Sequence, residues 1–116
     1  MHEYSIVSSL LNLCEKEAKK NNAKSVKTVT LQLGKLSAIE PHFMESCFDF
    51  FKKDTICENA TLVMKIIDIE IYCNSCKSNH IILNKNFYCP NCKSSQTKIL
   101  KGQEMIIESI EIKEEI

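Results

Sequence analysis

A chain of 116 residues suffices for one domain, or for one domain carrying a small module, but not for a generous core. At 44% hydrophobic and 26% charged it has the make-up of a folded domain, not of a disordered or fibrous chain. Fifteen lysines balance fifteen acids and there is no arginine, so neither net charge nor bidentate guanidinium contacts point to nucleic acid or an anionic membrane as a partner. No apolar stretch approaches the roughly 20 residues of a membrane helix. The opening MHEYSIVSSLLNLCEKE lacks the basic and long apolar regions of a secretion signal. The expectation is a cytoplasmic protein, in which regularly spaced cysteines read as metal ligands rather than disulfides.

In chain order, Ile6, Val7, Leu10, Leu11, Cys14 and Ala18 follow a 3.6-residue period and predict a helix over about 3–21, ending at Asn21-Asn22. Val29, Leu31 and Leu33 alternate with Thr28, Thr30 and Gln32, a half-buried strand over about 25–34 closed by Gly34. Phe43, Met44, Cys47, Phe48, Phe50 and Phe51 form the apolar stripe of a second helix over about 41–53. Its start is set by Pro41, whose missing N–H costs nothing in a first turn, in preference to a capping box from Ser37 to Glu40. Leu62, Met64 and Ile66 alternate, then Ile67, Ile69 and Ile71 alternate on the opposite phase. Met105 and Ile107, then Ile110 and Ile112, do the same near the C-terminus. Such switches fit a bulge, a twist or a strand leaving one core for another, and are compatible with these two strands pairing with each other. No internal repeat, low-complexity tract or long linker interrupts the order. The pattern predicts an α+β fold: a three-stranded antiparallel sheet with two helices, and a cysteine module inserted before the last strand.

That module holds Cys73-x2-Cys76 and Cys89-x2-Cys92 with twelve residues between the pairs. Each pair forms a tight knuckle that presents two sulfurs, and two knuckles complete a tetrahedral four-sulfur set. Pro90, Asn74 and Asn91 suit the turns. Four thiolates leave no open position for an activated water, so the pattern reads as a structural zinc site; an iron–sulfur centre and a redox dithiol pair are the alternatives. His80, four residues beyond Cys76, reads as an ordinary surface histidine, with tuning of the site as the other reading. Cys14 and Cys47 lie on apolar helix faces and read as core residues. Residues 73–101 hold five lysines and no acid, while 104–116 hold five glutamates and one lysine. These read as solvated faces of opposite sign.

The N-terminus is a second candidate ligand set. His2 brings together its own imidazole and backbone nitrogen and the Met1 amine, and Glu3 adds a backbone nitrogen or a carboxylate. Nitrogen donors in a square or tetragonal array suit Ni(II) or Cu(II). Composition and spacing alone do not say nickel.

Taken together, Met1-His2-Glu3-Tyr4-Ser5, Leu33-Gly34-Lys35-Leu36-Ser37, Glu40-Pro41, the two Cys-x2-Cys pairs and Gly102-x-Glu104-Met105 resemble the HypA/HybF family of hydrogenase nickel-incorporation proteins over essentially the whole chain. The resemblance implies a metallochaperone, not an enzyme. Its nickel-binding α+β domain would comprise residues 1–71 and 103–116, and its zinc ribbon residues 72–102. It implies Ni(II) as transferred cargo, held by His2, the Met1 amine and Glu3, and structural Zn(II) on Cys73, Cys76, Cys89 and Cys92. It further implies delivery during [NiFe]-hydrogenase maturation, and in some bacteria to urease. The partners implied are the GTPase HypB and the hydrogenase large subunit or the urease maturation machinery, with no nucleic acid or membrane partner. The expected state is a monomer or weak homodimer. The chain departs from some relatives in having no histidine after Cys92, leaving His80 as the histidine of the module. His42 and Glu40, at the start of the second helix, are further candidates near the N-terminus.

Overall fold

The computed structural model describes residues 2–114, with side chains from 3 to 113. Its elements run α1 (His2–Lys20), β1 (Ala23–Gly34), α2 (Pro41–Phe51), β2 (Thr61–Ile67), β3 (Ile69–Cys73), β4 (Ser78–Ile82), β5 (Thr97–Lys101) and β6 (Met105–Glu114). They form two compact units, one of residues 1–31, 39–65 and 106–116, the other of residues 32–38 and 66–105.

In the first unit α1 follows its apolar period. Val7, Leu10, Cys14 and Ala18 are buried, with Glu3 in the first turn and Lys19 and Lys20 in the last, the signs that the helix dipole favours. The helix stops where Asn22 takes a left-handed φ of 54°, and the Asn21 amide side chain donates to the Glu17 carbonyl at 2.8 Å. α2 starts at Pro41 as expected, with Glu40 as its cap. The Glu40 carboxylate accepts from the His42 and Phe43 N–H groups at 3.2 and 2.8 Å. Met44, Cys47 and Phe48 face the core, and Tyr4 of α1 meets Phe51 of α2 edge to face at 4.7 Å.

The first sheet has the order β2-β1-β6. β1 therefore separates the two strands whose matching phase switches suggested that they pair. Val26, Val29, Leu31 and Leu33 make β1 the most buried strand of this sheet, and the central place, paired on both edges, belongs to it. Leu62 and Met64 of β2 and Ile107, Ile110 and Ile112 of β6 complete this core. The switch after Ile66 has a different cause from a bulge. Only Asp68 lies between β2 and β3, and there the chain passes from the first sheet to the second, whose order is β4-β3-β5.

Within the second unit, the 32–38 segment is fixed by backbone bonds. The N–H groups of Gly34, Lys35 and Leu36 donate to the carbonyls of Glu104, Ile67 and Gly102 at 2.8, 3.0 and 2.7 Å. A Cβ on Gly34 would lie 2.0 Å from the Gly102 carbonyl oxygen, so only glycine permits this approach. Gly102 itself has a φ of 117°, which side-chain-bearing residues rarely adopt. Gly34→Ala is expected to destabilise the zinc-loaded protein by about 3 kcal/mol in denaturant unfolding. Lys35→Ala, which removes only a surface pair with Asp68, should cost less than ~1 kcal/mol. A wild-type midpoint for Gly34→Ala would show that the close approach is not held in solution.

Candidate metal centre

The second unit has very little apolar core: Ile69, Ile71 and Ile82 are buried, with Leu36 and Phe87 packed on them. β3 is its central strand, antiparallel to β4 with Cys73 opposite Ser78 and to β5 with Cys73 opposite Thr97. Cys73 thus ends the central strand, and the chain turns through Cys76 before β4 begins.

The Sγ atoms of Cys73, Cys76, Cys89 and Cys92 all lie within 4.8 Å of one another. Cys73 and Cys92 are 3.5 Å apart, Cys76 and Cys89 3.6 Å. Thiolates at about 2.3 Å from a tetrahedral zinc would be about 3.8 Å apart, so the donor set fits that ion. In each knuckle the second cysteine's N–H points at the first cysteine's sulfur: Cys76 to Cys73 and Cys92 to Cys89, both at 3.5 Å. The residue after each knuckle, Lys77 or Lys93, is left-handed with φ 55° and 64°. The knuckles are tied together by the Ser75 and Ser94 hydroxyls at 2.8 Å and by the Asn74 N–H on the Gln96 carbonyl at 2.8 Å. Cys73 and Cys89 are buried, Cys76 half-buried and Cys92 exposed.

Ser78 and His80 surround Cys76. The Ser78 hydroxyl is 3.1 Å from the Cys76 sulfur and 2.8 Å from the His80 Nε2, which is itself 3.8 Å from the sulfur. His80 is therefore a half-buried neighbour of the knuckle rather than an ordinary surface side chain. The Ser78 hydrogen bond, then His80 and the neighbouring thiols, lower the Cys76 thiol to about 5. The Ser94 backbone N–H favours the Cys92 thiolate. Hydrogen bonds with Cys73, burial and the other two sulfurs outweigh it and push Cys92 up to about 11.

The sequence pattern singled out the four cysteines but not Ser78 or the left-handed lysines. A signal was present: both knuckles read Cys-x2-Cys-Lys-Ser, at 73–78 and 89–94. At the other candidate site, Met1 and the His2 side chain lie outside the described residues, and the His2 backbone opens α1. The half-buried Glu3 accepts the Glu40 N–H on its carboxylate at 3.2 Å. The start of α2 thus adjoins that of α1, while His42 has an exposed side chain and bonds Glu40 through its backbone.

Residues 1–112 match the family model described as "Hydrogenase/urease nickel incorporation, metallochaperone, hypA". This chain belongs to the HypA family. It is 44% identical to the hydrogenase maturation factor HypA of Aquifex aeolicus, over 97% of this chain and 98% of that one. It is 40% identical to that of Wolinella succinogenes, over 99% and 98%. The solution structure of the Ni metallochaperone HypA from Helicobacter pylori superposes with a TM-score of 0.67 at 33% identity, covering 97% of this chain and 98% of the other. Membership of this nickel-incorporation family accords with the two helices, two three-stranded sheets and four-cysteine cluster seen here. Among the described residues no helix is long and apolar enough to cross a membrane.

Two outcomes test the four-sulfur site. Stripping zinc with a chelator should abolish hydrogen-exchange protection at Ile71 and Ile82 and leave it at Val7, Leu10 and Val29; equal loss in both sets would contradict a locally acting ion. Zinc uptake at pH 7 should release fewer than four protons per ion. Cys76, with its pKa near 5, is already ionised there, whereas Cys92, near 11, must lose its proton. Because the loaded form needs thiolates, affinity falls as pH falls, with a further proton entering below about 5. Calorimetry in buffers of different ionisation enthalpy measures this count, and a release of four would overturn the Cys76 assignment.

Proposed function

We propose that this chain is a carrier of Ni(II), not a catalyst, and that it holds nickel at its N-terminus while Cys73, Cys76, Cys89 and Cys92 hold structural zinc. The single observation that carries the reading is the nickel-incorporation family match beginning at residue 1, which includes Met1, His2 and Glu3. A four-thiolate zinc site is closed, so cargo metal requires a separate set of donors. The Met1 amine, the His2 imidazole and backbone nitrogen, and Glu3 are that set. The Glu3 carboxylate is already engaged by the Glu40 N–H, so Glu3 contributes its backbone nitrogen at less cost.

Transfer needs a site that opens cheaply. The first turn of a helix frays at little free-energy cost, so a recipient protein can take the metal without unfolding the carrier. The recipients in this reading are the hydrogenase large subunit or the urease maturation machinery, with a HypB-type GTPase supplying the nucleotide hydrolysis, all in the cytoplasm. The H. pylori relative is itself described as a Ni metallochaperone.

Calorimetric titration of Ni(II) into zinc-loaded protein with a native Met1, beside His2→Ala, tests this. The expected result is about one nickel per chain at ~1 μM or tighter, about −8 kcal/mol, lost in the variant. Equal binding by both, or by neither, rules out the N-terminal site.

A further inference from the structure

The nickel and zinc readings leave unused the two polar side chains packed against Cys76. Ser78 and His80 lie two residues apart on β4, so they share one face of it. Both are half-buried, and they sit opposite Cys73 and Ile71 of the central strand. Strand pairing thus aims both side chains at the first knuckle. The Ser78 hydroxyl is 3.1 Å from the Cys76 sulfur and 2.8 Å from the His80 Nε2, and that nitrogen is 3.8 Å from the same sulfur. The counterpart serine of the second knuckle behaves differently. Ser94 turns its hydroxyl to the Ser75 hydroxyl at 2.8 Å and to the Gln96 N–H at 3.0 Å. Cys73 and Cys89 are served by the backbone, through the N–H groups of Cys76 and Cys92.

Given the zinc reading of the four cysteines, on which this rests, we propose that Ser78 and His80 are positioning residues of the metal site. They form a hydrogen-bond relay from the His80 Nε2–H to the Ser78 oxygen, and from the Ser78 hydroxyl to the Cys76 thiolate. Proton counting fixes the direction. A metal-bound thiolate has no proton to give and only accepts. The Ser78 hydroxyl has one proton, and its oxygen accepts as well. With that proton on the sulfur, the oxygen is left to accept from Nε2, which must carry a hydrogen. In the reverse arrangement the Ser78 proton goes to a bare Nε2. The serine oxygen and the thiolate would then stand 3.1 Å apart with no proton between them, which is repulsive. The relay therefore holds a neutral His80 as its Nε2–H tautomer.

The relay bears on how firmly the ion is kept. Four thiolates leave a net charge of about −2 with zinc, and donors to the sulfurs spread that charge. Cys76 takes its donors from side chains, so its hold can be altered without rebuilding the knuckle backbone. Ser78 touches the ligand sulfur, and His80 acts through Ser78 by holding the hydroxyl in the rotamer that faces the sulfur. Together they slow the departure of Cys76 and with it the exchange of the ion.

The test uses the zinc-loaded full chain, its metal content measured first. Long-range proton–nitrogen NMR at about pH 8, where an ordinary imidazole is neutral, reads the His80 tautomer. The expected result is a protonated Nε2 and a bare Nδ1. Zinc transfer to an excess of a chromophoric chelator should run roughly tenfold faster in Ser78→Ala than in wild type. Ser78→Thr keeps the hydroxyl on a β-branched frame suited to a strand, and should restore a rate near the wild-type one. A wild-type chain that takes up no zinc overturns the zinc reading and the relay with it. A zinc-loaded chain with His80 protonated at Nδ1 instead overturns the relay alone. So does a Ser78→Ala rate equal to the wild type's, or a Ser78→Thr rate as fast as that of Ser78→Ala. The wild-type tautomer decides even where Ser78→Ala fails to fold.

Discussion

Ile69, Ile71 and Ile82 are the buried apolar side chains of the second unit's core cluster, and three isoleucines cannot offset the conformational entropy of nearly fifty residues. Closure of four sulfurs around one ion would supply what that core lacks. Everything distinctive about the unit serves the closure. Cys73 terminates the central strand, each knuckle turns an N–H onto a sulfur, and a lysine accepts left-handed backbone just after each knuckle. A non-glycine residue with positive φ costs of order 1 kcal/mol, small beside the metal-binding free energy.

The first unit rests on different physics. Its core is a continuous apolar cluster from two helices and three strands, and metal is not needed to hold it. The first unit thus stands on apolar packing, whereas the second gathers four sulfurs in a set that fits a closed metal site. Four sulfurs at these separations meet the tetrahedral demand of zinc in full.

Much of this was legible in the residues. The 3.6-residue stripe of α1, the alternation of β1 and the two Cys-x2-Cys pairs each reduce to a local period or spacing, and each reappears in the structure. What was not legible is non-local. β1 lies between β2 and β6 as the most buried of the three, a ranking that emerges only after packing. The approach of Ser78 and His80 to Cys76 is local in sequence, but which way their side chains face is set by the β3–β4 pairing. Glu40 as a cap was hidden because glutamate is not a favoured capping residue; Pro41 fixed the start, and Glu40 was left beside the open N–H groups.

The discontinuity of the first unit has a consequence for synthesis. Its last strand, β6, comes after the entire metal-bearing segment, while its central strand β1 is made near the start. During translation β1 therefore waits with one edge unpaired until the C-terminus emerges, an exposed strand edge being an aggregation hazard. The four cysteines are all complete by residue 92, before that edge is covered. On the nascent chain, the four cysteines leave the ribosome ahead of the strand that completes the first sheet.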